Sequence, residues 1–526
     1  MKISYFLPVT LGCIITLFAG CGKEEAGTWG NFKPLNEIDK HIASYYDASL
    51  GQAANPKSGN PAVYVDFSDG LIQAYTANAL NGQIVEAICH KLLSPNIEWN
   101  SMGGSEITPL TITSTELFNK VTDATQYIQI MAPIEGALKK ITSSSNDALL
   151  ITDFEEYTKD ANGNGLEQFE NYQKDYFVEW IKKGNSITFF YNNYSETNKK
   201  SKITTVKNLY FTVFTHGKAD ETSLVTMIKD ALKGRFSPKI FELNNTPYSV
   251  TNNYGGKENT GIANQTFAKW VNYNFNASVD KNLPYEVIGI SKPWNEDLEK
   301  YVQNIIQKEK GLFMNKLTLN AKDQSCFKLE KIAVKVYDVS DDYEKYARCN
   351  EAKSHIPVLT KNEKKDDIWD EKSKKDPVIK ECYATNNIAI KPEWVYSPTD
   401  LTTNELPEVF DFDKEIYAGH LKNDPEKISL NTVFHSNYKF KNIKSGSALL
   451  RIDYIIDDVT FNDANTQLND FKWISITEKT SGGKEKPNTS LSEAIRNTLQ
   501  DRSISPKGKV IYSYYIKFAN SNKSEK

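Results

Sequence analysis

The sequence contains few of the residues that most often build metal and redox centres. Among its 526 residues are six cysteines and six histidines, and no group of them has the spacing of a zinc site. The patterns Gly-x-Ser-x-Gly and His-Glu-x-x-His are absent, and so is a glycine-rich phosphate-binding loop. Carboxylates are plentiful, but a sequence alone does not place two of them at the separation that a glycosidase needs. We therefore predict a protein that is neither an enzyme nor a zinc protein.

An excess of charge of either sign is also lacking. The chain has 63 lysines and arginines against 67 aspartates and glutamates, which gives a formal charge of -4 at pH 7. Domains that bind nucleic acid usually carry a marked excess of basic residues on one face. The near balance therefore predicts that nucleic acid is not a partner.

The one long apolar run lies at the amino terminus and is followed by a cysteine. Lys2 precedes an apolar stretch from Ile3 to Phe18, which is too short to span a bilayer comfortably, and small residues stand just before Cys21. The segment Leu17 to Cys21 resembles the bacterial lipobox. That resemblance implies that residues 1–20 are a signal peptide and that acyl chains on Cys21 anchor the protein stably in a membrane. An ordinary secretory signal is the alternative.

The residues after this cysteine bear on location. Gly22-Lys23-Glu24-Glu25 resembles the export tag of some Gram-negative lipoproteins, and this implies lipid anchoring in the outer membrane with exposure at the cell surface. A periplasm-facing anchor is the alternative. Residues 21–59 are rich in small and polar residues and are predicted to form a tether. No later apolar stretch approaches the length of a membrane span, so we expect the rest of the chain to be soluble.

Four cysteines remain beyond the predicted signal peptide and the lipid-bearing residue. Cys89 falls within a helical pattern and is predicted to be a small core residue. An oxidising compartment would permit one disulfide among Cys326, Cys349 and Cys382, and the sequence leaves its pairing open.

The length of the chain predicts more than one domain. Residues 60–240 alternate strand-like and helix-like segments, which is typical of an α/β fold with a doubly wound, mostly parallel sheet. Residues 241–310 are predicted to connect two domains and to contain one helix, from Asn295 to Lys310. Residues 311–526 are rich in β-branched and aromatic residues and predict a β-rich, sandwich-like region. Within the α/β part, apolar strands are predicted at residues 62–67, 148–152, 186–191 and 209–214.

Acidic residues follow two of these strands, where ligands of parallel α/β sheets usually lie. One strand leads into Asp66-Phe67-Ser68-Asp69-Gly70, and another into Thr152-Asp153-Phe154-Glu155-Glu156. The order and spacing of these segments resemble a von Willebrand factor type A domain, in which a strand ending in Asp-x-Ser-x-Ser begins a metal-dependent adhesion site. The resemblance implies that Asp66, Ser68 and Asp153 hold Mg²⁺ or Ca²⁺, which prefer oxygen ligands.

The sequence departs from the type A motif at two positions. Gly70 stands where the family has a second serine, and Ala132 stands where it has a threonine before a helix. Asp69 and Glu155 are candidate substitute ligands because they lie near the predicted ones. The alternative without a metal is that Asp66 and Asp153 cap helices that begin directly after their strands.

A second acidic segment, Asp160 to Gly165, fits the opening of a calcium-binding loop. The twelfth position of such a loop normally holds a bidentate glutamate, and here it is Asn171. A plain Asn-Gly turn is the preferred interpretation.

The type A resemblance implies a protein ligand, bound for adhesion or assembly at the edge formed by Asp66, Ser68 and Asp153. One alternative is a surface glycan-binding lipoprotein, in which exposed aromatic residues of the β-rich half, such as Trp394, Tyr396 and Trp473, stack on sugars. The other is a structural subunit of an envelope complex, which predicts a large apolar patch on that half.

Overall fold

The computed structural model describes most residues of two ranges of the chain and several shorter segments between them. The ranges are residues 59–245, without 93–95, 160, 162–164, 199–201 and 218, and residues 466–520, without 480. Between them it describes residues 248–252, 271–277, 284–290, 300, 312–313, 317–321, 327–346 without 344, 358–376 without 366, 401–412 without 408–409, 427–429, 432–434 and 447–461.

Several predictions concern residues outside these ranges. They are the signal peptide, Cys21 and the tether, the helix at 295–310 apart from Lys300, the three candidate disulfide cysteines, most of the predicted calcium loop, and Trp394 and Tyr396. Cys89 is described, and it is a buried free cysteine, as predicted.

Strands and helices alternate in the first part of the chain, because fully apolar runs alternate with amphipathic ones. In chain order the elements are β1 (Ala62–Asp66), α1 (Ile72–Thr76), α2 (Ala79–Lys91), β2 (Glu98–Gly103), β3 (Glu106–Leu110), α3 (Ser114–Val121), α4 (Ile134–Ser143), β4 (Ala148–Thr152), β5 (Tyr157–Lys159), β6 (Gly165–Glu167), α5 (Gln173–Lys182), β7 (Ser186–Thr197), β8 (Thr204–Thr215), α6 (Leu224–Leu232) and β9 (Lys239–Leu243).

Seven of these strands form one mixed sheet in the order β3-β2-β1-β4-β8-β7-β9. Strand β1 is parallel to β2 and to β4, and each remaining neighbouring pair is antiparallel. The α/β class is confirmed, but the prediction of a mostly parallel sheet is wrong. Two short connections contribute: Gly103 pairs with Glu106 between β2 and β3, and the Asn198 N–H donates to the Ile203 carbonyl at 2.9 Å between β7 and β8. Such a short connection produces a hairpin, because a parallel crossover needs a dozen or more residues.

Helices cover both faces of this sheet. Successive side chains of a strand point to opposite faces, and accordingly Val63 and Val65 of β1 pack on one side while Tyr64 packs on the other. The side of Val63 is covered by α1, α2, α3 and α6, and the side of Tyr64 is covered by α4 and α5. The domain therefore has three layers, with the sheet in the middle.

The C-terminal part of the chain completes the second of these layers. A 3₁₀ helix (Thr466–Phe471) and a later α-helix (Ser490–Leu499) place Phe471, Leu491 and Ile495 in the same core as the sheet. The Phe471 ring stacks on Tyr210 of β8, with centroids 5.3 Å apart and planes 11° apart. The core of the α/β domain therefore includes side chains from far beyond residue 240.

The rest of the described chain is mainly β-structure, as predicted for the second half. Its strands are β10 (Tyr248–Asn252), β11 (Val271–Ala277), β12 (Pro284–Ile290), β13 (Leu312–Phe313), β14 (Leu317–Ala321), β15 (Phe327–Asp338), β16 (Leu359–Lys361), β17 (Asp367–Trp369), β18 (Phe410–Phe412), β19 (Lys427–Ser429), β20 (Thr432–Phe434), β21 (Ser447–Phe461), β22 (Trp473–Lys479), β23 (Glu485–Asn488) and β24 (Val510–Asn520). Its helices are α7 (Glu371–Lys375) and α8 (Ser490–Leu499).

The largest sheet of this part has five strands in the order β11-β12-β24-β21-β15. A sandwich arrangement of these sheets stays a prediction. Among the described residues, none of the helices has the length and apolar composition that a membrane crossing requires.

Candidate functional site at the sheet edge

Strands β1 and β4 are parallel neighbours, so their carboxyl ends meet at one edge of the sheet. Asp66 ends β1, and its side chain is fully buried. One carboxylate oxygen accepts the Ser68 N–H at 2.8 Å, and the other accepts the Thr152 hydroxyl at 2.7 Å. The structure thus places Asp66 and Ser68 together with the end of β4, as the sequence predicts.

The environment of Asp66 disfavours its ionised form. Burial raises the pKa of Asp66 from 3.8 to about 7, and the nearby charge of Asp153 adds to the rise. The hydrogen bonds from Ser68 and Thr152 favour the carboxylate but do not offset burial. Near neutral pH this group is therefore divided between its protonated and ionised forms.

Asp153 follows β4 and is almost fully buried at the same edge. Its Oδ1 accepts the Glu155 N–H at 3.0 Å, and its Oδ2 accepts the Tyr194 hydroxyl at 2.7 Å. Tyr194 lies on β7, beyond the strand segment that the sequence predicts there. Both oxygens of Asp153 therefore have partners from within the domain.

Three further buried charged groups of this edge are Glu155, Glu196 and Lys207. Glu196 is on β7 and Lys207 is on β8, and the Lys207 ammonium forms ion pairs with both glutamates. Burial raises the pKa of Glu155 and of Glu196, although Lys207 acts to lower both. Burial alone would lower the pKa of Lys207, but the carboxylates more than offset it, so its pKa is raised. The lysine is therefore held in its charged form.

Three carboxylates of this edge are close enough to share a cation. One oxygen from each of Asp153, Glu155 and Glu196 lies within 4.8 Å of the others. The Oε1 of Glu155 is buried and has no hydrogen-bond partner. Hard cations such as Mg²⁺ and Ca²⁺ take oxygen ligands of this type. The three oxygens are of the type that a divalent ion takes, and the Lys207 ammonium already pairs with two of these carboxylates.

This cluster differs from the predicted ligand set. It contains Asp153 and the predicted substitute Glu155, together with Glu196, which the sequence analysis did not single out. Asp66 and Ser68 lie beside it, but both oxygens of Asp66 are already hydrogen-bonded. Asp69 is exposed and begins a 3₁₀ helix (Asp69–Leu71).

The helix-capping alternative is wrong at both positions. Asp66 accepts the N–H of Ser68, and the 3₁₀ helix that follows has no side-chain cap at all. Asp153 accepts the N–H of Glu155, and the next element is the strand β5. Each aspartate therefore closes a local turn after its strand.

The two departures from the type A motif have structural counterparts. A Cβ atom at Gly70 would lie 2.6 Å from the Oε1 of Glu196, so a larger residue there would collide with that carboxylate. Ala132 is buried in the core beside α4, and the hydroxyl that reaches Asp66 comes from Thr152. The edge therefore has a different set of polar groups, in which Glu196 occupies the space beside Gly70.

Glu196 and Lys207 are absent from the sequence predictions because Glu196 lies after the predicted end of one strand and Lys207 lies before the predicted start of the next. The predicted strands at 186–191 and 209–214 extend to Thr197 and start from Thr204 in the structure. An alternation of residues continues through these extensions, since Tyr194, Glu196 and Lys207 are buried while Val206 is exposed. The hydrophobic pattern of the sequence does not show this alternation, because the charged Glu196 and Lys207 are buried and the apolar Val206 is exposed.

Several exposed apolar side chains lie next to the buried polar groups. The Asp69 N–H donates to the Gln129 carbonyl at 2.6 Å, which fixes the segment 127–131 along the edge. Within it, Ile128 is 75% exposed and Ile130 is 38% exposed. Leu166 on β6 is 43% exposed, and Ile130 lies against the backbone of the preceding residue, since a Cβ atom at Gly165 would be 2.8 Å from Ile130 Cγ2. We call Ile128, Ile130 and Leu166 the apolar edge group.

The predicted calcium loop lies between β5 and β6, which pair as a hairpin from Tyr157 with Glu167 to Lys159 with Gly165. Most of its predicted ligand positions are outside the described residues, so calcium binding there stays a prediction. Asn171, the twelfth position, precedes α5.

Glu167 of β6 is hydrogen-bonded to Trp473. Its carboxylate accepts the Trp473 indole N–H at 2.9 Å and the Asn488 amide at 2.7 Å, and it also accepts the Ser475 hydroxyl. Trp473 is buried. Its proposed role in stacking on sugars is therefore wrong, because no face of the ring is available to a glycan.

No known protein family, curated protein or solved structure matches this chain. The resemblance to a type A domain accordingly stays a prediction that depends on the motif residues. Function has to be argued from the residues of the chain itself.

Proposed function

We propose that this protein is a lipid-anchored lipoprotein of the outer membrane or cell surface that binds a protein partner, in adhesion or assembly, through the edge of its α/β domain. The observation that carries the proposal is the exposure of Ile128 and Ile130 in the apolar edge group, which flank Gln129 where its backbone pairs with Ser68 and Asp69. Exposed apolar groups rimmed by polar residues are typical of surfaces that bind proteins.

The anchor supports the same proposal from the sequence. Cys21 with its preceding Leu17-Phe18-Ala19-Gly20 has the composition of a lipid-attachment site, and residues 21–59 have the composition of a tether. A tethered domain is presented to partners near the membrane, and partner binding needs no catalytic residues.

The buried charges favour a role in shaping the edge over direct contact with the partner. Asp66, Asp153 and Glu155 are each at most 5% exposed. A partner therefore meets the apolar edge group and exposed groups such as Asp69, while the carboxylates beneath them hold the loops in place. The Mg²⁺ or Ca²⁺ predicted from the type A resemblance is not required for a partner to bind in this way.

A glycan partner is less well supported. Sugar-binding surfaces present aromatic rings, whereas the exposed group at this edge is aliphatic and Trp473 is buried. In the described part of the β-rich half, Val358 and Val510 are the large apolar side chains that are exposed. Nothing there favours a structural subunit with a large apolar patch.

Site-specific cross-linking in cells tests the partner. A photoreactive amino acid at Ile128 is expected to form a discrete cross-linked product, because this position is the most exposed of the apolar edge group. The matched control is the same amino acid at Ile240, which is also exposed but lies on the edge strand β9 at the far side of the sheet. A product from position 240 and none from position 128 would refute binding at this edge.

Fractionation tests the anchor. Cys21→Ser is expected to release the protein from the membrane fraction, because the acyl chains are attached at that residue. Digestion of intact cells with an added protease distinguishes a surface location from a periplasmic one. Membrane retention of the Cys21→Ser protein, with no acyl mass on the wild-type chain, would contradict the lipoprotein assignment.

A further inference from the structure

We propose that the ammonium group of Lys207 is the resident cation of the sheet edge and occupies the position that a divalent ion would otherwise take among Asp153, Glu155 and Glu196. The carboxylates of this edge then have a counter-charge without a metal ion. This inference does not depend on the proposed partner.

The first argument is position. Lys207 lies near the start of β8, Glu196 lies near the end of β7, and Glu155 follows β4. The lysine forms ion pairs with both glutamates, and the charge of Asp153 also acts on it. One ammonium group therefore pairs with two of the three carboxylates whose oxygens lie within 4.8 Å of one another and acts on the third through its charge.

The second argument is burial. The side chain of Lys207 is 2% exposed, and those of Glu155 and Glu196 are 4% and 5% exposed. Moving a charge out of water is costly, and it is tolerated where opposite charges of good geometry compensate it. Because the lysine side chain is 2% exposed and paired with two buried carboxylates, its charge is a fixed component of the site.

The third argument is repulsion. A divalent ion bound to these oxygens would lie within a few ångströms of the ammonium group, in surroundings where water screens charges poorly. Two cations would then compete for the same carboxylates. The lysine is covalently attached and always present, so it has the advantage over an ion from solution.

Gly70 supports the same assignment. It leaves the space that the Glu196 carboxylate fills, since a Cβ atom at this position would lie 2.6 Å from Glu196 Oε1. The glycine therefore permits the carboxylate that pairs with Lys207. Asp66 takes no part, because its two oxygens accept hydrogen bonds from Ser68 and Thr152.

The test compares the full-length wild-type chain in detergent with Lys207→Met, which keeps an unbranched side chain one atom shorter and removes the charge. The thermal unfolding midpoint is measured in chelator and in millimolar Mg²⁺, Mn²⁺ or Ca²⁺. Lys229→Met is the matched control, because Lys229 forms an exposed ion pair with Glu242 on the surface of the same domain.

We expect the wild-type midpoint to be the same in chelator and in each ion. We expect Lys207→Met to unfold at a lower temperature than Lys229→Met in chelator and to recover part of the loss when an ion is added. The recovery should disappear when Glu196→Gln is added to Lys207→Met, because a ligand is then lost. If Lys207→Met does not fold, the triple variant with Glu155→Gln and Glu196→Gln should fold, since it removes the uncompensated charges together.

Three results would overturn the proposal. One is a wild-type midpoint that rises when an ion is added, while the midpoint of Glu155→Gln or Glu196→Gln does not, since the natural site would then bind metal. Another is a Lys207→Met protein as stable in chelator as the control. The third is a Lys207→Met protein that is destabilised and whose midpoint does not change with any ion. A Lys207→Met protein that does not fold, together with a triple variant that does not fold either, would count in the same way.

Discussion

Asp66→Asn isolates the effect of a buried carboxyl group on stability. In the folded protein, burial and the nearby Asp153 raise the pKa of Asp66 from 3.8 to about 7. Between these two values the folded state retains a proton that the unfolded chain has released. The contribution of Asp66 to stability is therefore unchanged below about pH 4, falls as the pH rises, and reaches its lowest value above about pH 7.

The magnitude follows from the shift. A rise from 3.8 to about 7 is about three units, and each unit corresponds to about 1.4 kcal/mol, so ionisation of Asp66 lowers the free energy of unfolding by about 4 kcal/mol. Asparagine keeps an oxygen to accept the Ser68 N–H, and its amide can donate to the Thr152 hydroxyl. Asp66→Asn is therefore expected to be more stable than the wild type by up to about 4 kcal/mol near pH 8, and close to it near pH 4.

Urea unfolding followed by tryptophan fluorescence across this pH range measures the difference. The difference between variant and wild type is the informative quantity, because other buried carboxyls such as Glu155 change the stability of both proteins. Asp69→Asn is the control, since Asp69 is exposed at the same edge. A difference that stays constant with pH, or a variant that is less stable near pH 8, would refute the reasoning.

Three further substitutions test the packing around this edge. Glu167→Ala leaves the buried Trp473 indole N–H and two other donors without their acceptor and is expected to lower the free energy of unfolding by about 3 kcal/mol in urea titrations, with a smaller loss for Glu167→Gln. Gly70→Ala is expected to cost about 1–3 kcal/mol in the wild type and clearly less in a Glu196→Ala background; equal costs in a double-mutant cycle would contradict the collision. Phe471→Ala is expected to cost about 3–5 kcal/mol, and a loss under about 1 kcal/mol would show that the C-terminal segment is not part of the sheet core.

Local patterns of the sequence were sufficient to predict many elements of the α/β domain. The buried run Ala148–Thr152 is a strand with the predicted bounds, and the helix before Gly184 ends there because the glycine adopts a positive φ of 84°. Strand direction was not predictable in the same way, because the period of two is identical in parallel and antiparallel strands. The packing of Phe471 against Tyr210 joins residues that are far apart in the chain, and no local pattern contains that information.

Only part of the candidate site could be predicted from the sequence. Asp66 and Asp153 directly follow buried strands, so their convergence at one edge is a consequence of parallel pairing. Glu196 and Lys207 reach the edge on a hairpin that runs past the end of β4. The glycan-binding alternative requires Trp473 on the surface, but it is buried, and Glu167 accepts its indole N–H inside the domain.

Gly70, Glu196 and Lys207 are coupled through their contacts. Any residue larger than glycine at position 70 would collide with the Glu196 carboxylate. Without Lys207, Glu196 and Glu155 would both be buried carboxylates lacking their counter-charge, and an unpaired buried charge is strongly destabilising. Without Glu196, the lysine would keep one of its two ion-pair partners. The type A serine at position 70 is therefore expected to lower stability unless Glu196 and Lys207 change with it.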